Sequence, residues 1–155
     1  MSPAARENAN SIILREATAW GIGWASAAEI DEINIHKASL LAMKRAYEFM
    51  LAETEKHRDE PLALCNIRAI VDGLFAPDIP VPCQPMVKAD NTVPEVMAAS
   101  ILAKTARDRL MEYYGLFYPQ YGYEVHKGYP TKAHREAVLR NGPSPIQRKS
   151  FRVKT

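Results

Sequence analysis

Two aspartates in this 155-residue chain lie where carboxylates can do chemistry. The apolar run that reaches Val71 predicts a buried strand ending at Asp72-Gly73, and the carboxyl ends of strands in α/β sheets are where ligands collect. Asp108 lies seven residues after Ile101, so a helix would turn both side chains toward the core. A strand-end carboxylate facing a helix-borne one, without His or Cys, predicts an Mg²⁺ or Mn²⁺ site rather than a zinc site.

Both aspartates also have ordinary structural explanations. Asp72 could belong to a simple turn with the glycine after it, and Asp108 could pair with Lys104 or with an adjacent arginine in solvent. Turns and surface pairs are far commoner than metal sites, so the pattern alone leaves both explanations open.

The periodicity of apolar residues predicts the elements that must position these aspartates. Ser2-Pro3 and the Ser26-x-x-Glu29 capping box predict two helix starts, and Thr131 predicts a third. The helix of Asp108 should be entered through Asn91-Thr92, with Pro94 in its first turn. The further predicted elements are strands at 20–24, 67–71 and 86–88, a packing helix at about 37–56, the Asp108 helix to about 113, a loop at 115–131, a short helix to about 141 and an extended basic end.

Length and composition predict one compact domain over residues 1–155. No stretch approaches the ~18 apolar residues of a membrane span, and the first ten residues do not resemble a signal peptide, so we expect a cytoplasmic protein without a membrane partner. Cys65 and Cys83 lack the spacing of a zinc site or a disulfide framework and are interpreted as buried thiols.

Positive charge is concentrated at the end of the chain. From His126 onward there are eight Lys and Arg against one acid, a net +7, while the whole chain carries only +2. A basic section on an acidic body favours a polyanion such as a phosphate backbone, and the alternative is a solvated tail.

Five segments in order resemble ribonuclease HII, the type 2 ribonuclease H. They are AEIDEINIHKASLLAMKRA (28–46), IVDG (70–73), VKADNTVPEVMAASILAKTARD (87–108), FYPQYGYEVHKGYPTKAH (117–134) and RKSF (148–151). Several long motifs in sequence are far more specific than one. The resemblance implies an α/β, ribonuclease H-like fold with a mixed sheet flanked by helices and a small helical, basic C-terminal section at 115–155.

The resemblance also implies an activity. The family cleaves the RNA strand of RNA–DNA hybrids and nicks duplex DNA on the 5′ side of an embedded ribonucleotide, with two divalent cations held by four carboxylates. Asp72 matches the third carboxylate and Asp108 the fourth, which implies that both are catalytic metal ligands with Mn²⁺ or Mg²⁺ as cofactor. Two cations can activate the attacking water and stabilise the departing 3′ oxygen.

Tyr129 matches the family tyrosine that stacks on the sugar beside the ribonucleotide. Its ordinary alternative is a loop tyrosine packed against Pro130. Weaker candidates for phosphate contacts are Lys127, Lys88 and Lys104, although lysines in basic regions are usually only solvated. Backbone binding by the basic section should weaken steeply with salt.

The front of the chain departs from the family pattern. Family chains open with a strand carrying an Asp-Glu pair and then a Gly-Arg-Gly segment, which supply two metal ligands and the contact to the ribose 2′-hydroxyl. Asp31-Glu32 belongs to a different family motif. We therefore interpret the chain as N-terminally truncated, lacking about three strands, and doubt its activity alone. The alternatives are a non-catalytic hybrid-binding remnant and an inactive fragment.

Overall fold

The computed structural model describes residues 1–57 and 66–150. Its elements mix helices with two strands, which confirms the predicted α/β class. The helices are α1 (Pro3–Glu16), α2 (Ala27–His57), α3 (Pro94–Phe117), α4 (Tyr123–His126) and α5 (Lys132–Asn141); the strands are β1 (Ala69–Asp72) and β2 (Cys83–Met86); 3₁₀ turns lie at Ala89–Asn91 and Pro119–Tyr121.

The first two helices begin at the predicted hydroxyl side chains. The Oγ of Ser2 accepts a hydrogen bond from the backbone N of Ala5 at 3.3 Å. The Oγ of Ser26 accepts from the backbone N of Glu29 at 3.2 Å, and a Glu29 carboxylate oxygen accepts from the Ser26 N at 2.8 Å. This confirms the capping box, which satisfies N–H groups that a helix start otherwise leaves without partners.

A kink at Asn34 divides α2 into the two predicted helices. Asn34 has a φ of +69°, and its Oδ1 accepts from the backbone N of His36 at 3.0 Å and of Lys37 at 3.1 Å. Asparagine tolerates positive φ and is a favoured helix cap. The second part of α2 therefore starts near the predicted position and ends one residue beyond the predicted end.

The sheet of the described residues consists of β1 and β2 in parallel, with Ala69 opposite Cys83 and Asp72 opposite Met86. A larger mixed sheet is not seen in these residues. The strand predicted at 67–71 lies at 69–72 and is not buried, since Ile70 is 37 % exposed. Each strand of a two-stranded sheet has only one neighbour, so it is more exposed than a strand inside the larger sheet that the family resemblance implies.

The strand predicted at 86–88 forms earlier in the chain, at Cys83–Met86, where it has a neighbour on one side only within the described residues. β2 runs through Pro85, which lies opposite Val71. The backbone N of Ala69 donates to the Pro82 oxygen at 2.9 Å, and that of Gly73 to the Met86 oxygen at 3.1 Å. Nitrogens alternate sides along a strand, so the Pro85 nitrogen points away from β1, where its missing N–H costs no ladder bond.

The strand predicted around Trp20–Trp24 is also wrong, because residues 17–26 form no strand. The small residues of this segment pack instead against α2. A Cβ on Gly21 would lie 2.2 Å from the Ala46 backbone oxygen, and one on Gly23 would lie 1.9 Å from that of Ala42. The predicted close packing is therefore present, but its partner is a helix and no described strand lies alongside.

α3 is entered and ended differently from the prediction. Pro94 occupies the first turn as predicted, but Asn91-Thr92 is not the cap; the preceding residue is Val93, whose side chain makes no capping bond. The helix ends at Phe117 rather than near 113. The Tyr113 and Phe117 rings, one turn apart with centroids at 4.8 Å, give the last turn an aromatic contact that favours its helical form.

The predicted loop at 115–131 contains the end of α3, a 3₁₀ turn and α4, and it packs into a small aromatic core. Tyr121, Tyr123 and Val138 are its buried members. The Thr131 Oγ1 accepts from the His134 N at 3.2 Å, which confirms the predicted start of α5, and α5 ends at Asn141 as predicted.

Cys83 is a partly buried free thiol, and burial raises its pKa. Cys65 lies outside the described residues. Within residues 1–57 and 66–150, none of the helices has both the length and the apolar character needed to cross a membrane.

Candidate metal and nucleic-acid site

Asp108 faces inward on α3, as the periodicity predicts, and its side chain is only 12 % exposed. The Nη2 of Arg6, from α1, donates to its Oδ2 at 2.7 Å. The Nζ of Lys104, one turn earlier on α3, contacts its Oδ1. The pairing with Lys104 was one of the two alternatives in the sequence, while Arg6 is 102 residues away and no local pattern indicates it. We call Arg6, Lys104 and Asp108 the Asp108 cluster.

A second ion pair joins α1 to α3 beside this cluster. The Nη2 of Arg109 donates to Glu7 Oε2 at 2.6 Å, with both side chains at least half exposed. Arg109 is therefore engaged with α1 rather than with Asp108. Glu7 follows Arg6 directly, so two adjacent α1 residues hold adjacent α3 residues of opposite charge.

Asp72 lies exposed at the end of β1, as the sequence predicts. Its Oδ1 accepts a hydrogen bond from the backbone N of Ala89 at 3.1 Å. Ala89 begins the 3₁₀ turn that leads into α3, and both β1 and this turn contact α3. The carboxylate thus ties the strand end to the entry of the helix that carries Asp108.

The donor chemistry of the two aspartates fits a hard cation. Carboxylate oxygens suit Mg²⁺ or Mn²⁺, and Mg²⁺ is commonly held by one or two carboxylates, with water and substrate phosphates completing the shell. In residues 1–57 and 66–150, no three His, Cys, Asp or Glu side chains are grouped to hold a metal ion. The carboxylate oxygens of Asp72 and of Asp108 are thus each of the donor type that such a cation takes.

Tyr129 extends the Asp108 cluster toward solvent. Its ring is 49 % exposed, with the Lys104 Nζ 5.2 Å and the Arg107 Cζ 5.8 Å from the ring centroid. Lys104 therefore touches both the Asp108 carboxylate and the Tyr129 ring. The structure brings together these three predicted site residues, and it adds Arg107, which the sequence mentioned only as a possible partner of Asp108.

The two remaining predicted lysines belong to different segments and have different partners. Lys127 has a φ of +53°, and its Nζ donates to Glu112 Oε1 at 2.5 Å. Its backbone oxygen accepts from Arg107 at 3.3 Å. Lys88 has a φ of +60° and lies exposed just before the turn that Asp72 holds. Lys127 thus supports the loop of Tyr129, and Lys88 lies on the Asp72 side.

A cavity of about 850 Å³ opens beside Tyr129. It lies between the start of α2, one face of α3, Gly128–Tyr129 and residues 145–148. Its cationic lining residues are Arg45, Arg107 and Arg148. These three arginines line one cavity because distant segments of the chain meet there. The three-residue step from Lys104 to Arg107 could have indicated that these two side chains share a face of α3.

Arg45 is already paired inside this cavity. Its guanidinium donates to the two Glu29 carboxylate oxygens at 2.6 and 3.1 Å and to the Trp24 backbone oxygen at 2.8 Å. The bond from Arg45, followed by those from Ser26, lowers the pKa of Glu29 to about 2. Arg45 therefore fixes the helix start that forms one wall.

The basic end is anchored to α2 by Asp31. The backbone N of Lys149 donates to its Oδ2 at 2.6 Å, and the N and Oγ of Ser150 donate to its Oδ1 at 2.9 and 2.6 Å. The bonds from Ser150 lower the pKa of Asp31. Up to residue 150 the end forms turns and is attached to α2, so the prediction of an extended form was wrong there; 151–155 lie outside the described residues.

Comparisons with known proteins agree with this combination of an α/β fold, helix-borne carboxylate and basic cavity. A family profile described as Ribonuclease HII matches residues 3–154. A Ribonuclease HII of Treponema denticola is 57 % identical over 140 residues, covering 87 % of this chain and 70 % of the relative. Those of Desulforamulus reducens and Natranaerobius thermophilus are 44 % and 40 % identical, covering 97 % and 98 % of this chain and 70 % and 71 % of the relatives.

These matches define a nucleic-acid hydrolase of the ribonuclease H class, with an endoribonuclease activity that depends in general on divalent metal. Within that class, the chain belongs to the ribonuclease HII family. The resemblance drawn from the five sequence segments is confirmed.

Proposed function

We propose that this chain recognises ribonucleotides within nucleic-acid duplexes and cleaves beside them, acting on RNA–DNA hybrids and nicking DNA 5′ to an embedded ribonucleotide. The observation that carries the proposal is the position of Lys104, which contacts both the Asp108 carboxylate and the Tyr129 ring. A carboxylate suited to a cation and an aromatic ring suited to a sugar are thereby joined by one cationic side chain.

Asp72 and Asp108 are the proposed catalytic ligands of Mn²⁺ or Mg²⁺. Asp72 has a carboxylate oxygen besides the one that accepts from Ala89, and Asp108 is held on an ordered helix. Such a cation, when bound, activates the attacking water and stabilises the leaving 3′ oxygen. Lys104 and Arg6 offset the Asp108 charge on a chain without metal, which keeps a nearly buried carboxylate stable until a cation arrives.

Tyr129, Lys127, Lys88 and Lys104 are the proposed substrate-binding residues. The exposed Tyr129 ring can stack on a sugar, and the cations beside it can contact phosphates. Because phosphate contacts release condensed counterions, affinity for duplex DNA should fall by at least about tenfold between 50 and 200 mM salt. A fluorescence-anisotropy titration measures this slope.

Replacing Tyr129 by alanine should lower affinity for a duplex with one ribonucleotide about tenfold, because stacking on an aromatic ring contributes about 1–3 kcal/mol. Tyr113→Ala is the matched control, since Tyr113 is a tyrosine of similar exposure at 55 %. Equal losses in both variants would contradict the role of Tyr129.

The decisive experiment is a nicking assay with a duplex DNA containing one ribonucleotide and either Mn²⁺ or Mg²⁺. We expect a nick 5′ to the ribonucleotide that disappears in Asp72→Asn, and this result would contradict the interpretation of the chain as too truncated to act alone. Asp78→Asn is the control, because Asp78 is a fully exposed aspartate of the same loop region whose only described partner is Lys44. Persistence of the nick in Asp72→Asn would contradict the metal-ligand role. Tight binding without any nick would instead indicate a non-catalytic binding protein.

A further inference from the structure

Two buried histidines lie directly beneath the loop that carries Tyr129. His126 is 7 % and His134 is 3 % exposed. Their rings are stacked, with centroids 4.2 Å apart and planes inclined by 13°, and the Tyr123 ring meets both edge-on at 5.6 and 5.5 Å. We call Tyr121, Tyr123, His126 and His134 the histidine cluster.

The hydrogen bonds of His126 define its tautomer. Its Nε2 lies 2.7 Å from the Tyr121 backbone oxygen, which can only accept, so Nε2 must carry a proton. The backbone N of Gly128 donates to its Nδ1 at 3.1 Å, so Nδ1 must carry a lone pair. His126 is therefore neutral, with its proton on Nε2.

His134 has the opposite tautomer requirement. Its Nδ1 lies 3.0 Å from the Tyr129 backbone oxygen, so Nδ1 must be the protonated nitrogen. The backbone N of Tyr129 in turn donates to the backbone oxygen of His126 at 2.9 Å. The backbone N–H of Tyr129 is thus bonded to His126, and its backbone oxygen is bonded to His134.

The loop needs this support because its backbone is unusual. Lys127 and Gly128 have φ values of +53° and +77° in succession, a region that is costly for lysine. The turn they form leads directly to Tyr129, whose ring projects half-exposed toward the cavity. A loop with strain at its start and an exposed ring at its end holds one shape only where the surroundings fix it.

We propose that His126 and His134 are positioning residues that hold the Tyr129 backbone in one conformation before nucleic acid binds. His126 binds the turn through Gly128, and His134 binds Tyr129 itself. Their stacked rings make the two attachments one unit. The consequence for recognition rests on the function proposed above. The attachment of the Tyr129 loop to His126 and His134 is a property of the free chain.

The first test is the tautomeric state of the imidazoles in the free chain at pH 7.5, measured by long-range ¹H–¹⁵N NMR. We expect the Nε2–H form at His126 and the Nδ1–H form at His134. Loss of each signal set in His126→Gln and His134→Phe assigns the rings, and exposed His36 serves as the reference. The same tautomer on both rings, or a charged ring at either position, would overturn the proposal.

The second test uses a matched pair of substitutions. His134→Asn keeps a donor near the place of Nδ1, whereas His134→Phe keeps the ring and loses the donor. We expect amide exchange of Gly128 and Tyr129 to rise about tenfold in His134→Phe and to stay within about threefold of wild type in His134→Asn, as for one hydrogen bond. His36→Gln is the control. A uniform rise across α3 in both variants would show only a general structural role and would overturn the proposal.

A third measurement separates this proposal from the proposed function. The ratio of affinities for duplexes with and without one ribonucleotide should fall in His134→Phe and be rescued in His134→Asn. If wild type binds the two duplexes equally and the exchange results are as expected, the positioning of the Tyr129 loop by the histidines is supported. Ribonucleotide recognition is then contradicted. A wild-type preference that His134→Phe leaves unchanged would overturn the positioning role.

Discussion

The Asp108 cluster and the histidine cluster both contact Tyr129, and they stabilise polar groups by different means. In the Asp108 cluster, charge is offset by charge: Arg6 and Lys104 both contact one carboxylate. In the histidine cluster, the rings stack, and both nitrogens of His126 and the Nδ1 of His134 meet backbone groups. An arrangement of ions can exchange one cation for another, whereas an arrangement of neutral hydrogen bonds resists change. Under the function proposed above, the Asp108 cluster admits a metal cation, whereas the histidine cluster holds the Tyr129 loop in one conformation.

The histidine cluster should contribute far more to folding stability, and Tyr123→Ala tests this most strongly. Tyr123 is 2 % exposed and contacts both histidines as well as Tyr121. Removing a buried aromatic ring should lower the free energy of unfolding by about 3–5 kcal/mol. Urea unfolding followed by circular dichroism measures the loss. A change below about 1 kcal/mol would show that this cluster is not a core.

Arg6→Gln should have a smaller effect on stability but a clear effect on metal binding. The loss of one partner of a mostly buried carboxylate should cost about 1–3 kcal/mol. Because the freed oxygen can then accept a cation, Mn²⁺ should raise the melting temperature of Arg6→Gln more than that of wild type. Equal shifts with Mn²⁺ would contradict exchange of cations at Asp108.

Acidification should weaken the chain in two stages. Burial lowers the pKa of His134 below 6.5, so the unfolded chain binds this proton more readily and stability falls as the pH drops below that value. Glu29 follows, because its pKa falls from 4.5 to about 2 on folding and its contribution is lost across that range. Unfolding free energies from pH 8 to pH 3 check the order, and His134→Asn should remove the first stage.

The groups facing His134 act on its pKa in both directions. His126 and Tyr123 pack on its ring, and the Tyr129 carbonyl oxygen accepts from it. Charged residues that line the same cavity are Arg45, Arg107, Arg148 and Glu29. Burial, which is the largest effect on the pKa of His134, and the neighbouring His126 favour the neutral imidazole, and they outweigh the hydrogen bond to Tyr129.

Glu7→Gln should have the smallest effect. It removes the partner of Arg109 in an ion pair that is about half exposed on both sides, which should change the unfolding free energy by at most about 0.5 kcal/mol. Since Glu7 is adjacent to Arg6, this variant controls for any general disturbance of α1. A loss as large as that of Arg6→Gln would show that α1 docks through both pairs equally.

Local features of the structure could be predicted from the sequence. The capping box at Ser26 and Glu29, the cap at Thr131 and the inward position of Asp108 depend on residues within two turns of one another, and all three are confirmed. The spacing of side chains on a helix is set by its geometry alone. The carboxylate on α3 could therefore be found before the fold was known.

Contacts between distant segments could not be predicted. Arg6 meets Asp108 across 102 residues, and Asp31 meets Ser150 across 119. The segment of Trp20 has strand periodicity, but a strand needs a neighbour to accept its hydrogen bonds, and a helix lies there instead. The stacked histidines show no signal in the sequence because their partners are mostly backbone groups.

The anchorage at Asp31 has a consequence for the substitutions that this chain can tolerate. Two of its three bonds come from backbone N–H groups, at Lys149 and Ser150, and every residue except proline provides such a group. The side chain at 149 can therefore be replaced by any other except proline while the backbone N–H stays bonded to Asp31. Position 31 has no such freedom, because one short carboxylate must reach both amides at once.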